Sequence, residues 1–430
     1  MTVVAFEGPA GSGKTHRLMD ELGEVIGRDP LADHQRVIAL TFMHGSRRRL
    51  DARLRGLDAL NRRFQAVTLD SFAWRLTQRW RRLAAYHGHD IPAAGQYGAT
   101  CTLAAALLQN DSVRQWVAQS YPVVVIDEAQ DFSHERSEII RGLTQSGNVL
   151  LAFDEFQCLN TALLPIPIEG WLRNHCEPVT LEGCRRTDDA ELIAAANAVR
   201  DGAALERNGN RFKIVATPGH INHVATWIAN GIRWRGDGGN VALLTPSRQG
   251  GFADNAVARV GQRPVGNHNS GPFGIRWESS DDEDKAAIWG ALGIAGNCTV
   301  DEAVATLAPH RTEPAVNSLR DWILRQRSMK GIDEIAADDL RRELGRLLSL
   351  RRRHGYLNEP QFAAMTIQQA KNREFDHVIV LWPYTVPNDD NQRRRLLYNA
   401  ITRARRSCTV LVQGPNLLNG PPFTAAGQPQ

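Results

Sequence analysis

Two short stretches of this chain have residue types and spacings suited to phosphate chemistry. Gly8-Pro9-Ala10-Gly11-Ser12-Gly13-Lys14-Thr15 fits the pattern G-x-x-x-x-G-K-[ST] and directly follows the apolar run Val3-Val4-Ala5-Phe6. Glycines in such a loop let main-chain N–H groups converge on phosphate oxygens at a helix start. Gly8, Ala10, Gly11, Ser12, Gly13 and His16 would then surround a nucleotide. Lys14 would reach the β- and γ-phosphates, and Thr15 would offer its hydroxyl to Mg²⁺. The second stretch is Val123-Val124-Val125-Ile126-Asp127-Glu128-Ala129-Gln130-Asp131. Four branched apolar residues read as a strand buried on both faces, which delivers two carboxylates to the edge where α/β sheets bind ligands. Asp127 suits the metal, and Glu128 suits an attacking water. Together the two stretches predict Mg²⁺-dependent hydrolysis of a nucleoside triphosphate.

The elements that must position these groups alternate along the chain. Strands are predicted over 3–7, 36–41, 66–69, 123–127 and 149–153, with helices over 13–27, 45–55, 71–85 and 133–143. This is the rhythm of a parallel sheet. A second alternating region begins near Pro178, with a helix over 188–200, strands over 241–245, 365–367, 377–382 and 408–412, and a helix over 393–405. Two stretches break the rhythm. Residues 86–120 read as a small helical insertion, and 261–360, rich in Gly, Asn, Asp and Arg, as an inserted subdomain with helices over 282–292 and 335–352. The expected division is therefore 1–85 with 121–170, then 171–260 with 361–413, the two insertions, and a loose tail over 414–430.

Composition narrows the class. Hydrophobic content of 42% and charged content of 23% over 430 residues are those of an ordinary globular protein. Apolar runs are strand-sized, shorter than a membrane span needs. With a strand and phosphate loop at the start, no signal peptide is expected, and six cysteines without metal-ligand spacing suit a reducing cytoplasm. Net charge is only +4, but arginines cluster at 47–49, 62–63, 81–82, 351–353, 393–395 and 405–406. Such groups can follow a nucleic-acid backbone, or simply be solvated helix faces.

The phosphate loop, Asp127-Glu128-Ala129-Gln130-Asp131, Thr366-Ile367-Gln368-Gln369-Ala370-Lys371-Asn372-Arg373-Glu374-Phe375-Asp376 and Arg395-Leu396-Leu397-Tyr398-Asn399-Ala400-Ile401-Thr402-Arg403-Ala404 occur in that order. The set resembles the motor motifs of UvrD/Rep-like superfamily 1 DNA helicases. The resemblance implies an α/β fold of two RecA-like parallel-sheet domains with short, mainly helical insertions. It also implies a DNA-dependent ATPase that moves along single-stranded DNA with 3′→5′ polarity. By the same resemblance, Gln130 couples the nucleotide site to its neighbours and Gln157, three residues after Asp154, senses the γ-phosphate. Arg186 and Arg403 are implied as arginine fingers, and Glu374 as a contact to the ribose. Implied DNA contacts are Thr41, Phe42, His44, Thr68, Ser71, Phe72, Thr366, Gln368 and Lys371. Phe42 and Phe72 read equally well as core aromatics under a loop.

The chain also departs from the family pattern. No segment ahead of the phosphate loop is present to read adenine, and Arg185 stands where a tyrosine usually stacks on the base. Cys158-Leu159-Asn160 replaces an aromatic run, Gln368 a histidine and Asn372 a glycine. These departures motivate a second expectation, a DNA-gated ATPase or sensor acting with a partner nuclease in repair or defence against foreign DNA.

Overall fold

Val123–Ile126, the apolar run ahead of the acidic pair, is a strand in which no residue is more than 2% exposed. Burying each such side chain contributes roughly 1.5–3 kcal/mol, so the run is held in the middle of a sheet. The computed structural model describes residues 2–42, 44–93, 95–235, 238–278, 281–354, 361–386 and 389–425, without the side chains of 44–45, 281–282 and 349–354.

In chain order the strands are β1 (Val3–Glu7), β2 (Val37–Thr41), β3 (Phe64–Thr68), β4 (Val123–Ile126), β5 (Asn148–Phe153), β6 (Val179–Thr180), β7 (Phe212–Ala216), β8 (Val241–Thr245), β9 (Arg276–Trp277), β10 (Cys298–Thr299), β11 (Glu334–Ile335), β12 (Phe362–Thr366), β13 (Phe375–Trp382) and β14 (Ala404–Val412). Residues 1–275 with 366–430 make one unit and 276–365 another.

The larger unit holds two parallel sheets and is α/β, as expected. Its first sheet runs β3-β2-β4-β5-β1-β6. Four strands of the second run β7-β14-β13-β8, all parallel. Helices cover the first sheet on both faces. Lys14–Arg28 and His44–Arg55 bury Leu18, Leu22, Ile26, Leu50 and Leu54 against one face. Leu69–Arg79 and His134–Thr144 pack on the other.

Several boundaries move from their predicted places. The expected insertion 86–120 is no separate body: helices Tyr97–Leu107 and Asp111–Ser120 bury Cys101, Leu103, Leu107, Val113 and Val117 in the core of the first sheet. The predicted helix 71–85 is two helices, Leu69–Arg79 and Arg81–Tyr86. β6 falls in the stretch assigned to the second half, yet it pairs with β1 through Phe6↔Val179 and Glu7↔Thr180. The predicted helix 393–405 is Asp390–Ile401, which leaves Arg403 in the turn before β14. The supposed loose tail is packed as far as it is described. Phe423 is 1% exposed with its ring 5.6 Å from that of Trp382, and Arg207 donates to Leu418 O at 2.9 Å. Residues 426–430 of that tail lie outside the described residues.

The smaller unit is mainly helical, as expected for the insertion, although it spans 276–365 rather than 261–360. Its core gathers Val300, Leu307, Val316, Leu319, Ile323, Leu340 and Leu344 from helices Val300–Leu307, Pro314–Lys330 and Ala337–His354. β10 and β11 form a short antiparallel pair there, and β9 pairs parallel with β12.

Candidate active site

The carboxyl ends of β1 and β4 lie one strand apart, on either side of β5. They bring the phosphate loop and the acidic pair together. Thr15 Oγ1 donates to Asp127 Oδ2 at 3.0 Å. Gly11 and Gly13 have φ of +82° and +92°, a backbone state that costs glycine little. The loop is also tightly crossed: a Cβ on Gly11 would stand 2.8 Å from Cys184 Sγ, and one on Gly13 would stand 2.9 Å from Arg185 Cδ.

Lys14 is buried and donates to Gly8 O at 2.7 Å and Pro9 O at 3.0 Å. Burial pulls its ammonium below the ordinary lysine range, against the attraction of Asp154, Glu128 and Asp127. Asp127 is pushed up to about 6 by burial and then by Glu128. Burial acts on Glu128 in the same sense, but Lys14, Lys371 and the hydrogen bond from Gln130 outweigh it and hold this carboxyl below its usual range. The two neighbours are thus driven apart, as titratable groups gathered at functional sites often are. Glu128 sits at φ +61°, ψ +47°. Such left-handed strain in a non-glycine residue gathers at functional sites.

A cavity of about 360 Å³ opens over these groups. Gly11, Gly13, Lys14, Thr15, His16, Asp127, Glu128, Gln157, Arg186 and Glu374 of the sequence-derived set all line it. The first sheet contributes its carboxyl edge. The second contributes the amino ends of β13 and β14, where Glu374 and Arg405 lie, tied by Phe375 N donating to Arg403 O at 2.8 Å. Arg186 comes from the segment after β6, which lies across the phosphate loop through Arg185 N donating to Gly11 O at 2.6 Å.

Arg403 does not line this cavity. It is 2% exposed, donates to Asn399 O at 3.0 Å and Gln157 Oε1 at 3.4 Å, and is pulled down to about 9 by burial and by Arg186. Its partner Gln157 does line the cavity. Glu374, expected at a ribose, is held by Arg49, Arg186 and Arg405.

Several lining residues were missed in the sequence: Ser46, Arg49, Arg53, Asn372 and Arg405. Arg49 and Arg53 are one helical turn apart on His44–Arg55, a spacing visible in the sequence, where Arg49 was read only as part of a charge cluster. Asn372 has φ +63° and donates to Ser46 Oγ at 2.6 Å. Asparagine tolerates this conformation better than most residues, which explains how it can stand where the family has glycine.

A polar chain runs away from the acids. Gln130 Nε2 donates to Glu128 Oε2 at 2.5 Å, while its Oε1 accepts from Asp154 N at 3.1 Å. Arg200 Nη1 donates to both Asp154 oxygens and, at 3.3 Å, to Tyr398 Oη. Ala10 N donates to that same Oη at 2.7 Å. Ala10 of the phosphate loop is therefore tied by a phenol to the helix Asp390–Ile401 ahead of β14.

Residues 361–411 match the family model described as the UvrD-like helicase C-terminal domain. That stretch is UvrD-like. No curated protein matches the sequence. Among matching solved structures is an arterivirus nonstructural protein 10, a helicase in complex with DNA, at 13% identity and a TM-score of 0.39. The alignment covers 97% of this chain and 62% of that one, so the chain spans about 62% of the viral helicase. Glu374, Arg403 and Arg405 lie within the matched residues.

The expected DNA contacts scatter in their surroundings. Thr41 and Thr68 end β2 and β3 and are buried; Thr68 Oγ1 lies 2.7 Å from Ser71 Oγ and caps the helix Leu69–Arg79. Phe72 is a core side chain at 4% exposure, so of its two readings the core one holds. Phe42 is 40% exposed, edge-on to Phe132 with Arg136 over its face. Gln368 is exposed, and Thr366 is bonded through its N and hydroxyl to Gln369 Oε1. Lys371 departs from expectation: it is buried and paired with Asp131, because a cation drawn from water needs a close anion. The side chain of His44 lies outside the described residues.

Thr15 and Asp127 fit a magnesium ion. A hydroxyl and a carboxylate 3.0 Å apart form a hard oxygen pair, and the carboxyl raised to about 6 gains from a nearby cation. No cluster of three His, Cys, Asp or Glu side chains occurs among the described residues, so such an ion depends on substrate oxygens and water as well.

Proposed function

We propose that this UvrD-like chain is an ATP-dependent translocase on single-stranded DNA, and a helicase, with hydrolysis at the cavity between its two sheets driving movement in the 3′→5′ sense. The observation that carries the reading is convergence: Lys14, Thr15, Asp127 and Glu128 from one sheet share a 360 Å³ cavity with Arg186 and Glu374.

In this reading Lys14 leaves its loop carbonyls for the β- and γ-phosphates, and Thr15 and Asp127 hold Mg²⁺. Glu128, kept ionised by its lysine neighbours, orients the attacking water and accepts its proton. Gln130 links Glu128 to Asp154 and Arg200 links Asp154 to Tyr398, so a shift between the sheets reaches the base along this chain of hydrogen bonds. Arg186 is a direct phosphate ligand. Arg403 approaches the phosphate as Gln157 moves aside.

ATP turnover with and without single-stranded DNA, at two salt concentrations, tests the reading. DNA should stimulate turnover, and the stimulation should weaken as salt rises, because phosphate contacts release counterions. Turnover indifferent to DNA overturns the translocase. Among the expected DNA contacts whose side chains are described, Phe42 is the exposed aromatic, which suits DNA binding in a second reading as well: a DNA-gated ATPase serving a partner nuclease. DNA-stimulated turnover without strand separation would select it.

A further inference from the structure

Glu374 is clasped by three guanidinium groups in the wall of the cavity. Arg49 Nη2 and Arg186 Nε each donate to Oε1 at 3.0 Å, while Arg405 donates to Oε2 through Nη2 at 3.0 Å and Nε at 3.2 Å. The arginines arrive from three elements: the helix His44–Arg55, the segment after β6, and the start of β14. Main-chain carbonyls fix two of them, since Arg49 also donates to Asn372 O and Arg186 to Thr402 O, each at 2.6 Å.

The surrounding charge is unbalanced. Six cationic side chains line the cavity (Lys14, Arg49, Arg53, Arg185, Arg186 and Arg405) against three carboxylates, Asp127, Glu128 and Glu374. A cavity with that surplus suits a polyanion, and planar guanidiniums serve phosphate as well as carboxylate. Arg49 matters most for this argument. It belongs to the phosphate-loop half, yet it reaches across to the second half only because Glu374 and Asn372 O are there to receive it.

We propose that Glu374 holds the place of a nucleotide phosphate: Arg49, Arg186 and Arg405 form a guanidinium cage that passes from this carboxylate to the phosphates when the nucleotide enters. The inference rests on the nucleotide-hydrolysis reading and deepens it. It assigns Arg49 and Arg405 as phosphate ligands, and it makes Glu374 an internal competitor of the substrate rather than a ligand of its sugar. Burial works against the Glu374 carboxylate, yet Arg186, Arg49 and Arg405 bring it down to about 2, so it remains an anion throughout the working pH range.

A binding titration on the full chain decides between these roles, using a fluorescent, non-hydrolysable ATP analogue with Mg²⁺ at low salt. Removing a competing anion tightens binding, so Glu374→Gln should lower Kd roughly two- to fivefold, the scale of one surface ion pair. Arg49→Ala should weaken binding by a similar factor in the Glu374→Gln background, where no ion pair to Glu374 remains. Unchanged or weaker binding by Glu374→Gln overturns the cage, as does indifference to Arg49→Ala in that background. A melting curve confirms that each variant is folded. If Glu374→Gln fails to fold, Glu374→Asp, whose shorter carboxylate grips less, should tighten binding by a smaller factor, and no tightening overturns the cage. Absence of binding by folded wild-type protein overturns the hydrolysis reading itself, and the cage with it.

Discussion

Thr15 Oγ1 donates a 3.0 Å hydrogen bond to Asp127 Oδ2, joining the end of the phosphate loop to the end of β4. The contact favours the ionised carboxylate, but burial and the neighbouring Glu128 outweigh it. Asp127 titrates at about 6 in the folded chain instead of its ordinary 3.8, chiefly because it is buried and then because Glu128 is beside it. Folding therefore takes up a proton between these values, and stability falls as pH rises through that window. In EDTA near neutral pH, Asp127→Asn should raise stability by about 1–3 kcal/mol. The gain should vanish in melting curves taken below about pH 4, where the wild-type carboxyl is protonated in both states. Mg²⁺ should stabilise the wild type near neutral pH and leave Asp127→Asn almost unaffected.

Lys14→Ala and Glu128→Gln should each abolish ATP turnover, for different reasons. Without Lys14 the phosphates lose their buried cation, so binding fails too. Glu128→Gln keeps shape and hydrogen bonding but removes the base, so nucleotide should still bind. Steady turnover by both variants would remove the assignment.

Arg403 offers a separation of binding from rate. It is buried, bonded to Gln157, and does not line the cavity, so Arg403→Ala should leave nucleotide affinity nearly unchanged while turnover falls by about 10³–10⁵, the range for arginine fingers. Parallel loss of both would mean that its bonds to Asn399 O and Gln157 only hold the fold.

Arg200 is a stability test away from the reacting groups. Asp154 is fully buried and Arg200 26% exposed, with Arg200 Nη1 2.9 Å from Asp154 Oδ1. Arg200→Met should cost roughly 2–4 kcal/mol in denaturant unfolding, below a fully buried pair because the arginine keeps some water. Asp154→Asn together with Arg200→Met should recover part of that loss, since no lone charge is left behind.

The half of the cavity built by the glycine loop and the acidic pair was legible because it is local. The glycine loop, Lys14 and Thr15 are contiguous, and Asp127 and Glu128 are delivered by one strand whose apolar run can only be buried. β1 and β8 fall on their predicted bounds for the same reason. The ordered motifs after 361 likewise carried the UvrD-like character, which the family model matches there. Tertiary structure decided what depends on partners far along the chain. Pairing of β6 with β1 needs residues about 173 apart, and its short, exposed strand has no apolar signature of its own. Helices Tyr97–Leu107 and Asp111–Ser120 join the first core only because they meet the helices Leu69–Arg79 and His134–Thr144. Charged side chains were the least readable. Arg49 and Glu374 are 325 positions apart, and Lys371 and Asp131 are 240 apart. A charge in a sequence looks the same whether it faces water, DNA or a buried counter-ion, and only the folded chain supplies the neighbour that distinguishes them.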